Sequence, residues 1–70
     1  MSKFLYVIEK ARNNFSAYVP DLPGCVATGS TKKEVERLIL EAIQLHIAGL
    51  RADKAPIPKP LATASYAAVK

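Results

Sequence analysis

Apolar residues recur along this chain at two different spacings, and the change of spacing divides it. Residues 4–8, Phe-Leu-Tyr-Val-Ile, form an unbroken β-prone run. A strand over residues 3–9 with both faces apolar suits a central place in a sheet. Residues 10–14 are a polar connection, and Asn13 and Asn14 tolerate the left-handed conformation that a hairpin loop needs. Residues 15–19 then alternate, with Phe15, Ala17 and Val19 on one face and Ser16 and Tyr18 on the other. Residues 25–28 read as a third short strand. Between the second and third strands lies Pro20-Asp21-Leu22-Pro23-Gly24, a connection stiff at both ends. Pro20 ends the second strand because it has no N–H to give to a ladder. Pro23-Gly24 suits a type II turn, proline fixing φ at the second position and glycine accepting φ > 0 at the third. Leu22 sits between the prolines with little choice of direction: into the core or at a partner.

After residue 30 the period becomes helical. Thr31 and Glu34 form a capping box, Thr-x-x-Glu, just before the apolar pattern begins. At 100° per residue Val35, Leu38, Ile39, Ala42, Ile43, His46 and Leu50 share one face. Leu40 and Ile47 fall outside that arc, seven apart on one edge, which suits either burial under a loop or a subunit interface. Lys33, Arg37, Gln44 and Arg51 line the opposite face. Pro56, Pro58 and Pro60 then exclude a helix or a central strand, so residues 51–60 are an extended return connection. Residues 62–69 form a weak strand candidate, Thr63, Ser65, Ala67 and Val69 alternating with Ala64, Tyr66 and Ala68. A meander of three strands followed by a right-handed helical crossover places the fourth strand parallel to the first and beside it. The predicted fold is α+β, β-β-β-α-β, with sheet order 3-2-1-4, the helix on one face and the other face bare.

Composition sets the scale. Seventy residues make a single domain over 1–70, near the lower limit for a self-sufficient core. Half the residues are apolar, so the chain should fold, and a second copy is the expected source of missing core area. The single cysteine, Cys25, excludes an internal disulfide and any cysteine-pair metal motif. No signal peptide and no run of 18 apolar residues is present, and a soluble cytoplasmic protein is expected. A net charge of +4 permits contact with nucleic acid or an acidic partner without requiring it.

Tyr18-Val19-Pro20-Asp21-Leu22-Pro23-Gly24-Cys25, with Thr28-Gly29-Ser30-Thr31 after it, resembles the signature of the HicB-like antitoxin family. The helix segment Glu41-Ala42-Ile43-Gln44-Leu45-His46-Ile47 and the run Pro56-Ile57-Pro58-Lys59-Pro60 resemble that family as well. The resemblance implies a partial ribonuclease-H-like fold, in agreement with the strand order above. It also implies a HicA-like partner, a small toxin that cleaves mRNA and is held inactive by direct binding. Many members carry a C-terminal helix-turn-helix or ribbon-helix-helix segment for operator binding. These 70 residues hold no such segment, so direct DNA binding is not expected of them. At Lys54 the family pattern leads one to expect glycine.

Candidate chemistry is sparse. A ribonuclease-H-type centre needs several carboxylates converging on Mg²⁺, and no carboxylate interrupts the middle of the first strand. Glu9, Asp21 and Asp53 are scattered, Glu34 and Glu41 lie on the outer side of the helix, and Glu36 lies near the edge of its apolar arc. No catalytic residue, metal ligand, cofactor or small-molecule substrate is expected. His46 lacks a second ligand at i+3 or i+4 and reads as a core or interface imidazole, or else as a protonation-sensitive interface group. Cys25 has no basic neighbour or helix N-terminus to depress its pKa and reads as a small hydrophobe. Asp21 either caps backbone N–H groups within its loop or offers a negative charge to a basic partner. Lys33, Arg37 and Arg51 are the candidate nucleic-acid contacts, without interleaved aromatics for base stacking. The leading expectation is a binding module that neutralises a HicA-like ribonuclease through Pro20, Asp21, Leu22, Pro23 and Gly24. It assembles at least as a dimer through Leu40 and Ile47. A small nucleic-acid-binding domain and a homo-oligomeric scaffold are the competing classes.

Overall fold

The computed structural model describes residues 2–70. Three strands precede one helix: β1 (Val7–Lys10), β2 (Phe15–Tyr18), β3 (Val26–Gly29) and α1 (Lys32–Ala52). The strands form an antiparallel meander in the order β1-β2-β3. A tight connection joins β1 to β2, closed by Ala11 N–H donating to the Asn14 carbonyl at 2.8 Å. Register pairs Ile8 with Ala17 and Ala17 with Ala27, so these three residues form one row across the sheet. α1 covers that face. Val35 and Ile39 of the helix are fully buried against Ala17, Val19, Leu22 and Cys25, and Phe4, Tyr6, Ile8, Phe15 and Ile43 close the edges.

Both ends of α1 follow from sequence. Thr31 Oγ1 accepts from Glu34 N–H at 3.0 Å, and Glu34 Oε1 accepts from Ser30 N–H at 2.6 Å, one residue upstream of the N-cap itself. Two N–H groups at the helix entry are thereby satisfied. Gly29 makes this possible, because a Cβ there would stand 2.9 Å from Glu34 Oε1 and 3.0 Å from the Val35 nitrogen. At the other end Ala55 N–H donates to the Leu50 carbonyl and Lys54 N–H to the Arg51 carbonyl. That pair of bonds is a Schellman motif, and its left-handed residue is Lys54 at φ 55°.

Three expectations need correction. The first strand begins at Val7 rather than residue 3. Val7 pairs with Tyr18, and after Tyr18 the chain turns away, so residues 3–6 have no strand beside them on that side. β1 therefore lies at the edge of the sheet, not at its centre. The fourth strand is absent: among the described residues, 62–69 belong to no strand, and all but half-buried Ala62 are exposed. Pro56, Pro58 and Pro60 stiffen the approach to that segment and favour an extended path over the reversal that would lay it along β1 of its own copy. The order 3-2-1-4 is thus reduced to three strands whose neighbours are as expected.

Candidate functional site

The connection between β2 and β3 is built as two consecutive turns. Leu22 N–H donates to the Val19 carbonyl at 3.1 Å, and Cys25 N–H donates to the Leu22 carbonyl at 3.0 Å. Val19 N–H then donates to the Cys25 carbonyl at 3.2 Å and closes the loop at its base. The second turn has Pro23 and Gly24 at its centre, and Gly24 has φ 84°, as a type II turn requires. No atom lies within 4 Å of a Cβ placed on Gly24, so the glycine is needed for its backbone angle alone.

Leu22 settles its direction inward. It is 0 % exposed and packs within the core beside Val35 and Ile39. Expected among the partner contacts, Leu22 is instead buried in the core, where it pins the loop to the body. The residues the loop does present are Pro20, Pro23 and Gly24, all exposed. Asp21 is half-buried, and its Oδ2 accepts from the backbone N–H of Ala62 at 2.9 Å. Its carboxylate caps an N–H outside the loop, 41 residues away, not one within it.

Beside the loop lies a surface that the sequence showed only as a bare sheet face. Register places Val7 opposite Tyr18 and Tyr18 opposite Val26, on the face turned away from α1. Tyr18 is 40 % exposed and Val26 62 % exposed. Tyr18 precedes the double turn and Val26 follows it, so this apolar row and the two exposed prolines adjoin. Alternation alone pointed to Tyr18, since Ala17 and Val19 flank it on the buried side. The next row, Glu9, Ser16 and Thr28, is polar.

The remaining candidates are dispersed. Leu40 is exposed and Ile47 is half-buried against the core, so the two do not make one apolar edge. Ile47 instead helps line a cleft of about 620 Å³ between the C-terminal half of α1, Phe4 and residues 57–60. Leu45, given no role above, is exposed. Lys33, Arg37 and Arg51 all face solvent, and Arg37 is engaged by Glu41 at 2.9 Å. Such an exposed pair contributes little to stability, yet it offsets one of the three cations. His46 is half-buried on the helix face toward the sheet. Burial pushes the Cys25 thiol above its ordinary pKa, which disfavours the nucleophilic thiolate. Among the described residues no three His, Cys, Asp or Glu side chains converge as metal ligands would, and no helix is long and apolar enough to cross a membrane.

The double turn pinned by Leu22 thus adjoins an exposed apolar row. Residues 4–70 match the model of the HicB_like antitoxin of bacterial toxin-antitoxin system. The chain belongs to the HicB-like antitoxin family. A UPF0150 protein of Helicobacter pylori is 48 % identical over 48 residues, covering 69 % of this chain and 67 % of the relative. A UPF0150 protein of Thermoplasma acidophilum is 38 % identical over 58 residues, covering 81 % and 84 %. An uncharacterized 14.9 kDa protein of Haemophilus phage HP1 is 40 % identical over 52 residues, 74 % of this chain but only 39 % of the phage protein. The match thus spans two thirds of the first relative and about two fifths of the phage protein. No solved structure matches the chain significantly. Membership points to an antitoxin role with a toxin as its partner, and away from catalysis.

Proposed function

We propose that this HicB-like chain binds a HicA-like mRNA ribonuclease directly and holds it inactive by covering its working surface. Its contact surface is the double turn at residues 20–24 together with Tyr18 and Val26. The observation that carries this reading is the pinning of the loop. Buried Leu22, three backbone hydrogen bonds and two prolines fix the loop before any partner arrives. Preorganisation of this kind lowers the ordering cost of association. An exposed tyrosine beside it is the residue type that anchors interfaces.

Charge cannot supply the attraction in bulk. An RNA-cleaving toxin needs a basic surface, and this chain is itself +4. The contact is therefore local and largely apolar, with Asp21 the nearest negative charge. The partial ribonuclease-H-like architecture belongs to the same reading, its fourth strand to be supplied by residues 62–69 once they find an edge. Self-assembly to at least a dimer, in the cytoplasm, completes it.

Co-expression with the cognate toxin, scored by growth, tests the assignment. Tyr18→Ala and Val26→Asp should each weaken rescue while the melting temperature stays near that of the parent. Arg37→Glu and Arg51→Glu should leave rescue intact. Loss of rescue in the helix variants, with rescue kept in the sheet variants, would place the interface on α1.

A further inference from the structure

Residues 63–70 are exposed without exception, and within them Tyr66 and Val69 stand at 104 % and 90 % of full exposure. Apolar area left in water forgoes about 25 cal/mol per Å² of stabilisation. The arm is nevertheless held at its root by the bond from Ala62 N–H to Asp21. Pro56, Pro58 and Pro60 stiffen the approach, and a proline-rich run favours an extended path over a reversal. The shape shows the result. The radius of gyration is 13.6 Å, against about 11 Å for a compact chain of this length. The longest dimension is 47 Å, while a helix as long as α1 spans only about 32 Å.

The body carries the complementary defect. β1 pairs with β2 alone, leaving its outer edge open. Residues 3–6 continue toward the N-terminus with half-buried Phe4, Leu5 and Tyr6 and no strand on either side. An open edge of this kind is a template for strand addition. The arm is rooted at the end of the sheet where β1 begins, since Asp21 closely follows Tyr18, the partner of Val7.

We propose that residues 62–69 are an exchanged arm, which each copy lays along the outer edge of β1 and residues 3–6 of a second copy. The partner is a second copy because edge and arm then occur in equal number and close a twofold assembly with no edge left over. The arm carries no charge before Lys70, so it suits an apolar edge rather than a charged ligand. Area supports this: two Tyr66 rings alone offer roughly 300–500 Å² of the about 1,200 Å² at which specific interfaces begin. Leu61, Val69 and two eight-residue backbones add the remainder. This assembly deepens the self-association part of the reading above and is independent of the toxin.

The purified chain without any toxin provides the test. Sedimentation at micromolar concentration should give a dimer of the 7.6 kDa chain. The double variant Ala64→Pro, Ala67→Pro removes N–H donors of opposite parity and should weaken self-association about a hundredfold or more, with helix content unchanged by circular dichroism. On a Cys25→Ala background, Lys3→Cys chains mixed and refolded with Ala64→Cys or Ala68→Cys chains should cross-link into mixed pairs under mild oxidation. A monomer in sedimentation would overturn the proposal. So would a dimer that the prolines do not weaken. A chain carrying both cysteines that cross-links only within itself would equally overturn it, placing the arm on its own edge.

Discussion

Asp21 and Ala62 stand 41 residues apart in sequence and are joined by a 2.9 Å hydrogen bond from the Ala62 N–H to the Asp21 carboxylate. One end of this bond is the rigid turn between β2 and β3, and the other is the root of the C-terminal arm. It couples the proposed toxin-facing loop to the proposed self-assembly element.

Asp21→Ala should free that root. The bond is partly buried and charge-assisted, so its loss should cost about 1 kcal/mol in denaturant unfolding. Amide exchange should accelerate at Ala62 while β2 and β3 keep their protection. Unchanged exchange at Ala62 would mean that the bond does not hold the arm in solution.

Lys54 occupies the left-handed position of the Schellman motif at φ 55°, where a side chain is strained and glycine is not. Lys54→Gly should therefore stabilise the protein by about 0.5–1 kcal/mol, read as a higher urea midpoint at constant slope. A lower midpoint would mean that glycine's extra freedom in the unfolded chain outweighs the strain.

Gly24 and Leu22 hold the same loop by different means, and substitution separates them. Gly24→Val should destabilise by more than about 1 kcal/mol because φ 84° excludes a β-branched residue, although space around the position is open. Gly24→Asn should cost much less, since asparagine tolerates that region. Leu22→Ala should cost about 2–5 kcal/mol through the cavity it leaves. Loss of toxin neutralisation by Leu22→Ala would then reflect a loosened fold, which thermal melting measured alongside would reveal.

Cys25 links stability to alkaline pH. Burial raises its pKa in the folded state, because the thiolate is the form that burial disfavours. The unfolded chain therefore gives up this proton at lower pH than the folded one. The contribution is intact below the unfolded thiol pKa of about 8.5 and falls as pH rises above it. Urea midpoints measured from pH 7 to 10 should decline more steeply for the parent than for Cys25→Ala. Parallel curves would show that the thiolate is not penalised. Alkylation by iodoacetamide should also be slow in the native protein and fast in denaturant.

Local chemistry by itself determined a good share of this protein. The capping pair Thr31 and Glu34, the turn at Pro23-Gly24, the alternation through Phe15, Ala17 and Val19, and the helical face through Val35 and Ile39 were all legible. Each depends on residues within one turn or one strand, where spacing and backbone preference act directly. At Lys54 it was the family resemblance, not local spacing, that led one to expect glycine, and the structure shows that position in the left-handed region. The spacing of Leu40 and Ile47 put both on one edge of α1, but only the tertiary structure separated them. The returning segment at residues 57–60 runs past Ile47, whereas Leu40 stays exposed. The direction of Leu22 was likewise undecided until a helix lay beneath the loop. The length of β1 was set by where β2 stops, not by its own apolar run. A strand exists only with a partner for its backbone, and that partner is a property of the assembled molecule. Residues 62–69 have the alternation of a strand without such a partner in a single copy, and so remain an arm.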